Sequence, residues 1–132
     1  MFESCKNTKA QGNIGMGVAI AYYSVNNYTV SIPLTDSQSY DFIIEKDDVL
    51  YKVQVKTTAF KTKRGIYMVG LKTCGGNQSC QSIKYLDKSK IDYLFVMCSD
   101  GTCYNIPSSE LTGKGSTLNM GKNVEKYKVK II

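Results

Sequence analysis

Tyr40-Asp41-Phe42-Ile43-Ile44 and Val49-Leu50-Tyr51-Lys52-Val53-Gln54-Val55-Lys56, with Asp47-Asp48 between them, are the stretch that decides the fold. Both runs are rich in β-branched and aromatic residues and are bounded by turn formers, so they read as two strands. A two-residue loop centred on Asp47-Asp48 makes them a hairpin. That register sets Asp41 opposite Gln54 and Ser39 opposite Lys56. Side chains alternate along a strand, so Gln54 and Lys56 share one face. Directly opposed Cβ atoms lie about 5 Å apart, and Lys56 is the diagonal neighbour of Asp41. A carboxylate, an amide and an ammonium thus converge on one patch. Tyr40, Phe42, Ile44, Tyr51, Val53 and Val55 are assigned to the other, core-facing side.

These groups suit a divalent cation. Mg²⁺ takes oxygen ligands and keeps several waters, so one carboxylate, weaker oxygens and a phosphate suffice. Asp41 would be the anionic ligand, with the Gln54 side-chain carbonyl and the Val55 main-chain carbonyl beside it. Lys56 would orient or deprotonate a water, or neutralise charge in the transition state. An alternating Lys-Val-Gln-Val-Lys segment is equally what an ordinary half-buried strand looks like.

Outward from the hairpin, residues 8–26 carry Ile14, Val18, Ala21, Tyr22 and Val25 at helical spacing, with Asn26-Asn27 as the stop. Gly12, Gly15 and Gly17 follow no strand, which sets aside a dinucleotide loop. They fit close packing of a helix on a sheet, and Gly12-Asn13 could meet a DNA phosphate at the helix start. Residues 28–32 form a first strand ended by Pro33. Residues 57–65 are an exposed connection in which Lys61, Lys63 and Arg64 suit contact with DNA. A further strand spans 65–72. Residues 73–89, centred on Gly75-Gly76-Asn77-Gln78-Ser79, read as a loop.

Residues 91–98 and 102–106 form a second hairpin around Asp100-Gly101, a type I′ signal that sets Cys98 opposite Cys103. Its run Tyr93-Leu94-Phe95-Val96-Met97 suits a strand buried on both faces. A short helix opens at Pro107. Residues 119–126 are a loop or short helix, and 127–131 a closing strand with its lysines outward. The pattern by itself supports an α/β fold with a mixed sheet.

The 132 residues fit one domain, spanning 1–132, and 42% hydrophobic content is that of a folded chain. The net charge of +6 favours a polyanionic partner. The longest apolar stretch, residues 16–23, is too short for a bilayer, and the first residues lack the order of a signal peptide. A cytoplasmic protein is therefore expected. Five cysteines (Cys5, Cys74, Cys80, Cys98 and Cys103) do not form a secreted disulfide framework. Cys98 and Cys103 as hairpin partners would be within disulfide reach, although a reducing cytosol keeps thiols free. A zinc site from Cys74, Cys80, Cys98 and Cys103 would need spacings unlike the usual knuckles.

The chain resembles the PD-(D/E)xK nuclease superfamily, whose motif sets an Asp on one strand and an acidic residue or Gln, any residue, then Lys on the next. Here these are Asp41 and Gln54-Val55-Lys56. It is similar to the small homing endonuclease of cyanobacterial group I introns and its phage-encoded relatives, in which Gln stands for the usual acidic residue. The likeness extends through Lys9-Ala10-Gln11-Gly12-Asn13-Ile14-Gly15, Tyr28-Thr29-Val30-Ser31-Ile32-Pro33, Lys90-Ile91-Asp92-Tyr93-Leu94-Phe95-Val96 and Tyr104-Asn105-Ile106-Pro107. It implies a restriction-endonuclease-like αβββαβ core, a mixed β-sheet flanked by helices. It also implies a Mg²⁺- or Mn²⁺-dependent DNA endonuclease with Asp41, Gln54 and Lys56 catalytic, and Asp41, Gln54 and Val55 on the metal. Double-stranded DNA would be the partner, and the chain would work as a homo-oligomer, a dimer or a tetramer. The family often carries a Glu near position 16, where this chain has Met16, so Asp41 is its one firm anionic ligand. The alternatives are a Holliday-junction-resolvase-like nuclease, a non-catalytic DNA-binding protein of the same fold, and a phage protein that binds a host protein through its Cys-rich loop.

Overall fold

The computed structural model describes residues 2, 7–74, 83–111 and 115–132. The backbone alone is described at 72–74 and 83–85.

Helix α1 (Thr8–Val25) begins where Asn7 accepts the Lys9 N–H at 2.9 Å. It ends at Asn26, and Asn27 follows with φ 66°. Asn tolerates that left-handed conformation better than most residues, so the expected stop holds. The apolar face is rotated from the expected one. Gly15, Ala19 and Tyr23 are its buried positions, whereas Val25 is 55% exposed. Ile14, Val18 and Tyr22 pack at the margin of the buried stripe. Periodicity detects such a stripe, but a glycine at its centre adds nothing to an apolar count.

Strands β1 (Thr29–Ser31), β2 (Phe42–Lys46) and β3 (Val49–Thr58) form an antiparallel meander. Asp47 and Asp48 have φ 54° and 63°, as a two-residue type I′ turn requires, and Phe42 pairs with Val53. The expected register therefore stands through Phe42. The chain bends at 38–41, so Ser39 does not face Lys56 as expected.

Further along come β4 (Met68–Gly70), β5 (Lys72–Cys74), β6 (Ile83–Tyr85), β7 (Tyr93–Cys98), β8 (Cys103–Pro107), β9 (Thr117–Asn119) and β10 (Lys128–Val129). The main sheet has the order β1-β2-β3-β7-β8-β10, with β3 and β7 parallel and its other pairs antiparallel. Strand β7 lies at its centre with residues 94–98 all buried, as its continuous apolar run requires. The single strand expected at 65–72 is two strands, β4 paired with β9 and β5 paired with β6. Leu71 separates them, its N–H donating to the Ser116 carbonyl. Part of the loop expected at 73–89 is thus a strand pair, and residues 75–82 lie outside the described region. The helix expected after Pro107 is a short 3₁₀ turn, Ser108–Leu111.

Two cores flank the sheet. The helix side gathers Ala19, Tyr23, Phe42, Ile44, Val53, Phe95, Met97 and Cys103. The Tyr23 hydroxyl inside it donates to Asn105 Oδ1 at 2.7 Å, which satisfies the polar end of a buried ring. The other side gathers Val69, Leu94, Val96, Cys98, Ile106 and Leu118, among others. Tyr40 packs on this second side rather than with Phe42, because the bend before β2 breaks the alternation.

The second hairpin also departs from expectation. Met97 pairs with Cys103, and Cys98 bonds through its N–H to the Thr102 carbonyl. The loop is Ser99-Asp100-Gly101, with Gly101 at φ 91°. This is a three-residue connection with a left-handed glycine instead of a two-residue one. One extra loop residue shifts the register by one and turns the two cysteines to opposite faces. Each is free and buried, in a different core. They form no disulfide and cannot share a metal.

Candidate active site

Asp41 stands just before β2 begins, and β3 continues past that point. The Asp41 N–H donates to the Val53 carbonyl at 2.8 Å, which fixes the backbone. Its Oδ2 accepts the Val55 N–H at 2.7 Å and the Gln54 Nε2–H at 2.9 Å. The carboxylate thus takes the place of the next residue in the ladder. Paired residues of an antiparallel ladder direct N–H and C=O to the same neighbour. The Val55 carbonyl therefore opens toward the same side as its N–H, where β2 no longer runs.

Gln54 and Lys56 lie on the face of β3 away from α1, in register with Leu94 and Val96 of the second core. That apolar floor governs both charges. Burial raises the Asp41 pKa, opposed by the Val55 N–H and by Lys56. Burial likewise lowers the Lys56 pKa, opposed by Asp41. A half-buried lysine thus stands beside a half-buried carboxylate, each less willing than usual to carry its charge.

The donor set is oxygen only: a carboxylate, a main-chain carbonyl and a side-chain amide. It fits Mg²⁺ or Mn²⁺ and offers nothing to a thiophilic metal. Among the described residues there is no cluster of three or more His, Cys, Asp and Glu side chains that could hold a metal. Met16 packs in the helix-side core, across the sheet from Lys56, and supplies no oxygen.

Helix α1 presses on the far side of the same strand. A Cβ added at Gly15 would run into the Thr57 Cγ2, so this glycine permits the close approach of helix to sheet. Gly12 and Gly17 face open space and need another reason. Asn13 is exposed in the second turn of α1, where its N–H is already inside the helix ladder. A phosphate at Asn13 could meet only the side chain.

The basic residues do not sit on a loose connection. Residues 60–68 are a hydrogen-bonded ribbon, in which Met68 N–H donates to the Phe60 carbonyl and Thr62 N–H to the Ile66 carbonyl. Lys61 and Tyr67 pair across it. Lys63 and Arg64 lie exposed at its tip, before Gly65 at φ 78°. Nothing in residue spacing distinguished this ribbon from a loop; the Thr62…Gly65 turn was the available signal.

A family model described as PD-(D/E)XK endonuclease matches residues 6–130. The solved structure of a bacterial homing endonuclease, I-Ssp6803I, is similar to this chain with a TM-score of 0.74 and 25% identity. The likeness covers 88% of this chain and 79% of that one. A search of the curated proteins finds no match.

Proposed function

Since the chain belongs to the PD-(D/E)XK endonuclease family, we propose that it is a divalent-metal-dependent DNA endonuclease of homing type that cuts through Asp41, Gln54, Val55 and Lys56. The observation that supports this reading most is the Asp41 carboxylate held against Val55 and Gln54, with half-buried Lys56 on the same face. Nucleases of this family typically use divalent metals, and the hard oxygen set favours Mg²⁺ or Mn²⁺.

Asp41 Oδ2 is engaged by two donors, and Oδ1 is the oxygen left to a cation. The Val55 carbonyl would be the second ligand. Gln54 reaches a cation through Oε1 once its amide rotates. Bound there, the metal would polarise the scissile phosphate and lower the pKa of a water. Lys56, with a lowered pKa, would orient that water or accept its proton. Lys63, Arg64 and Asn13 would hold the phosphate backbone, whereas Lys61 is turned back onto the Tyr67 ring. Cutting two strands needs two such sites, which favours a homo-oligomer, a dimer or a tetramer.

The test is cleavage of a long duplex library and of a four-way junction, with Mg²⁺, with Mn²⁺ and with chelator. The reading expects metal-dependent cuts in the duplex that Asp41→Asn abolishes. Preferential cutting of the junction would make the protein resolvase-like. Metal-independent binding without any cleavage would make it a non-catalytic DNA-binding protein.

A further inference from the structure

The ribbon at 60–68 leaves β3 on the face that carries Gln54 and Lys56. Thr58 makes this so. Its side chain is buried beside Cys98 in the sheet register. Its hydroxyl donates to the Met68 carbonyl at 2.6 Å and accepts the Phe60 N–H at 3.2 Å. One side chain, two residues beyond Lys56, therefore ties both arms of the ribbon to the end of β3. A second tie runs between the Tyr67 hydroxyl and Ser99 Oγ at 3.0 Å.

The cations on the ribbon are not equivalent. Lys61 folds back, with its Nζ 4.7 Å from the centre of the Tyr67 ring and its charge felt by Asp100. Lys63 and Arg64 sit exposed at the turn. Phe60, at the foot, is 59% exposed, which puts an aromatic surface beside the cations. A two-stranded ribbon fits the major groove of duplex DNA, which is about 12 Å wide.

We propose that the ribbon at 60–68 enters a groove of duplex DNA tip first, with Lys63 and Arg64 on the phosphates, and that Thr58 is the positioning residue that sets its angle to the cutting site. The inference rests on the DNA endonuclease reading. Duplex DNA, rather than an acidic protein, is the occupant because Thr58 and Tyr67 anchor the foot of this basic ribbon on the face that carries Gln54 and Lys56, where the scissile phosphate would lie. Thr58 touches neither substrate nor metal and acts through the ribbon.

The experiment is duplex binding by the full chain in chelator over a range of salt, joined to steady-state cleavage in Mg²⁺. Each phosphate contact contributes about 0.9 to the slope of log affinity against log salt. The Lys63→Ala/Arg64→Ala double variant should lose about 2 units of slope with its melting temperature unchanged. Lys61→Ala should keep most of the wild-type slope. Thr58→Val, which deletes the hydroxyl and keeps the shape, should bind roughly tenfold more weakly with a shallower slope. Its KM should rise while kcat changes little, and Thr58→Ser should restore both. Partial unfolding alone would lower kcat per chain and leave the slope untouched. A wild-type slope in the tip double variant, or in Thr58→Val, overturns the inference while the wild type still binds and cuts. Absence of salt-dependent binding by the wild type overturns the endonuclease reading itself.

Discussion

Gln54 turns its Nε2, not its Oε1, toward Asp41, at 2.9 Å. The amide thereby neutralises part of a carboxylate that sits on an apolar floor. In this orientation the amide serves the carboxylate as a hydrogen-bond donor. A metal between the two groups would repel the NH₂ and draw the carbonyl in. The resting hydrogen bond and the proposed metal contact are two rotamers of one side chain.

That exchange makes Gln54→Glu informative. Glutamate restores the acidic residue more usual in the motif but sets two carboxylates together. Metal-free, the variant should be less stable than the wild type by roughly 1–3 kcal/mol, and melt correspondingly lower, for a hydrogen bond replaced by an unfavourable contact. Mn²⁺ or Mg²⁺ should raise its melting temperature more than that of the wild type. Thermal melts with chelator and with metal decide it, and an equal metal response in both proteins counts against a cation at this place.

The pH dependence of stability follows from the direction of the Asp41 shift. Its folded pKa lies above the unfolded value of 3.8 because burial disfavours the anion. Stability is then fully present below 3.8 and is lost as pH rises through the folded pKa. Asp41→Asn removes the buried charge and keeps an acceptor for the Val55 N–H. It should melt at or above the wild-type temperature at pH 7 and lose that advantage as the pH falls through the carboxylate range. A large loss of stability at pH 7 would show that the carboxylate is structural.

Gly15 lets α1 come close to β3. Gly15→Ala sets a methyl against the Thr57 Cγ2, and overpacking of this kind costs about 1–3 kcal/mol. Gly17→Ala, in open space, should instead be neutral or stabilising by up to about 1 kcal/mol, because alanine is the better helix former. Urea unfolding of the two variants gives the comparison, and equal midpoints would contradict the close-packing account.

Cys98 and Cys103 should behave as inert core thiols. Burial lifts their pKa values to about 12 and about 11, and the thiolate is the reactive form. In the native protein at pH 8, peptide mapping after iodoacetamide should find both unlabelled, and labelled fully after denaturation. Rapid native labelling, or a Cys98–Cys103 linked peptide, would contradict the observed register.

The parts of this fold that were legible in the sequence are those fixed by local chemistry. The two aspartates of the first turn specify a two-residue loop, so the register of β2 on β3 as far as Phe42 could be read from the residues alone; Asp41 lies in the bend just before that ladder and meets Gln54 through its side chain. Asn26-Asn27 ended the helix for an equally local reason. The misreadings arose where one residue changes a count or where partners lie far apart in the chain. At the second hairpin, Asp100-Gly101 suits both a two- and a three-residue loop, and the single residue between them reverses the face of Cys103. Tyr40 crossed to the other core because a bend precedes β2. The ribbon at 60–68 is held by Thr58 and Ser99, and no pattern within residues 57–65 records those partners.

Soaking crystals in Mn²⁺ and collecting anomalous diffraction tests the central claim most directly. The account predicts a peak about 2.1 Å from Asp41 Oδ1 and from the Val55 carbonyl oxygen, with the Gln54 amide turned to present its oxygen. A crystal that binds Mn²⁺ elsewhere and leaves this position empty, with Gln54 still donating to Asp41, would contradict it.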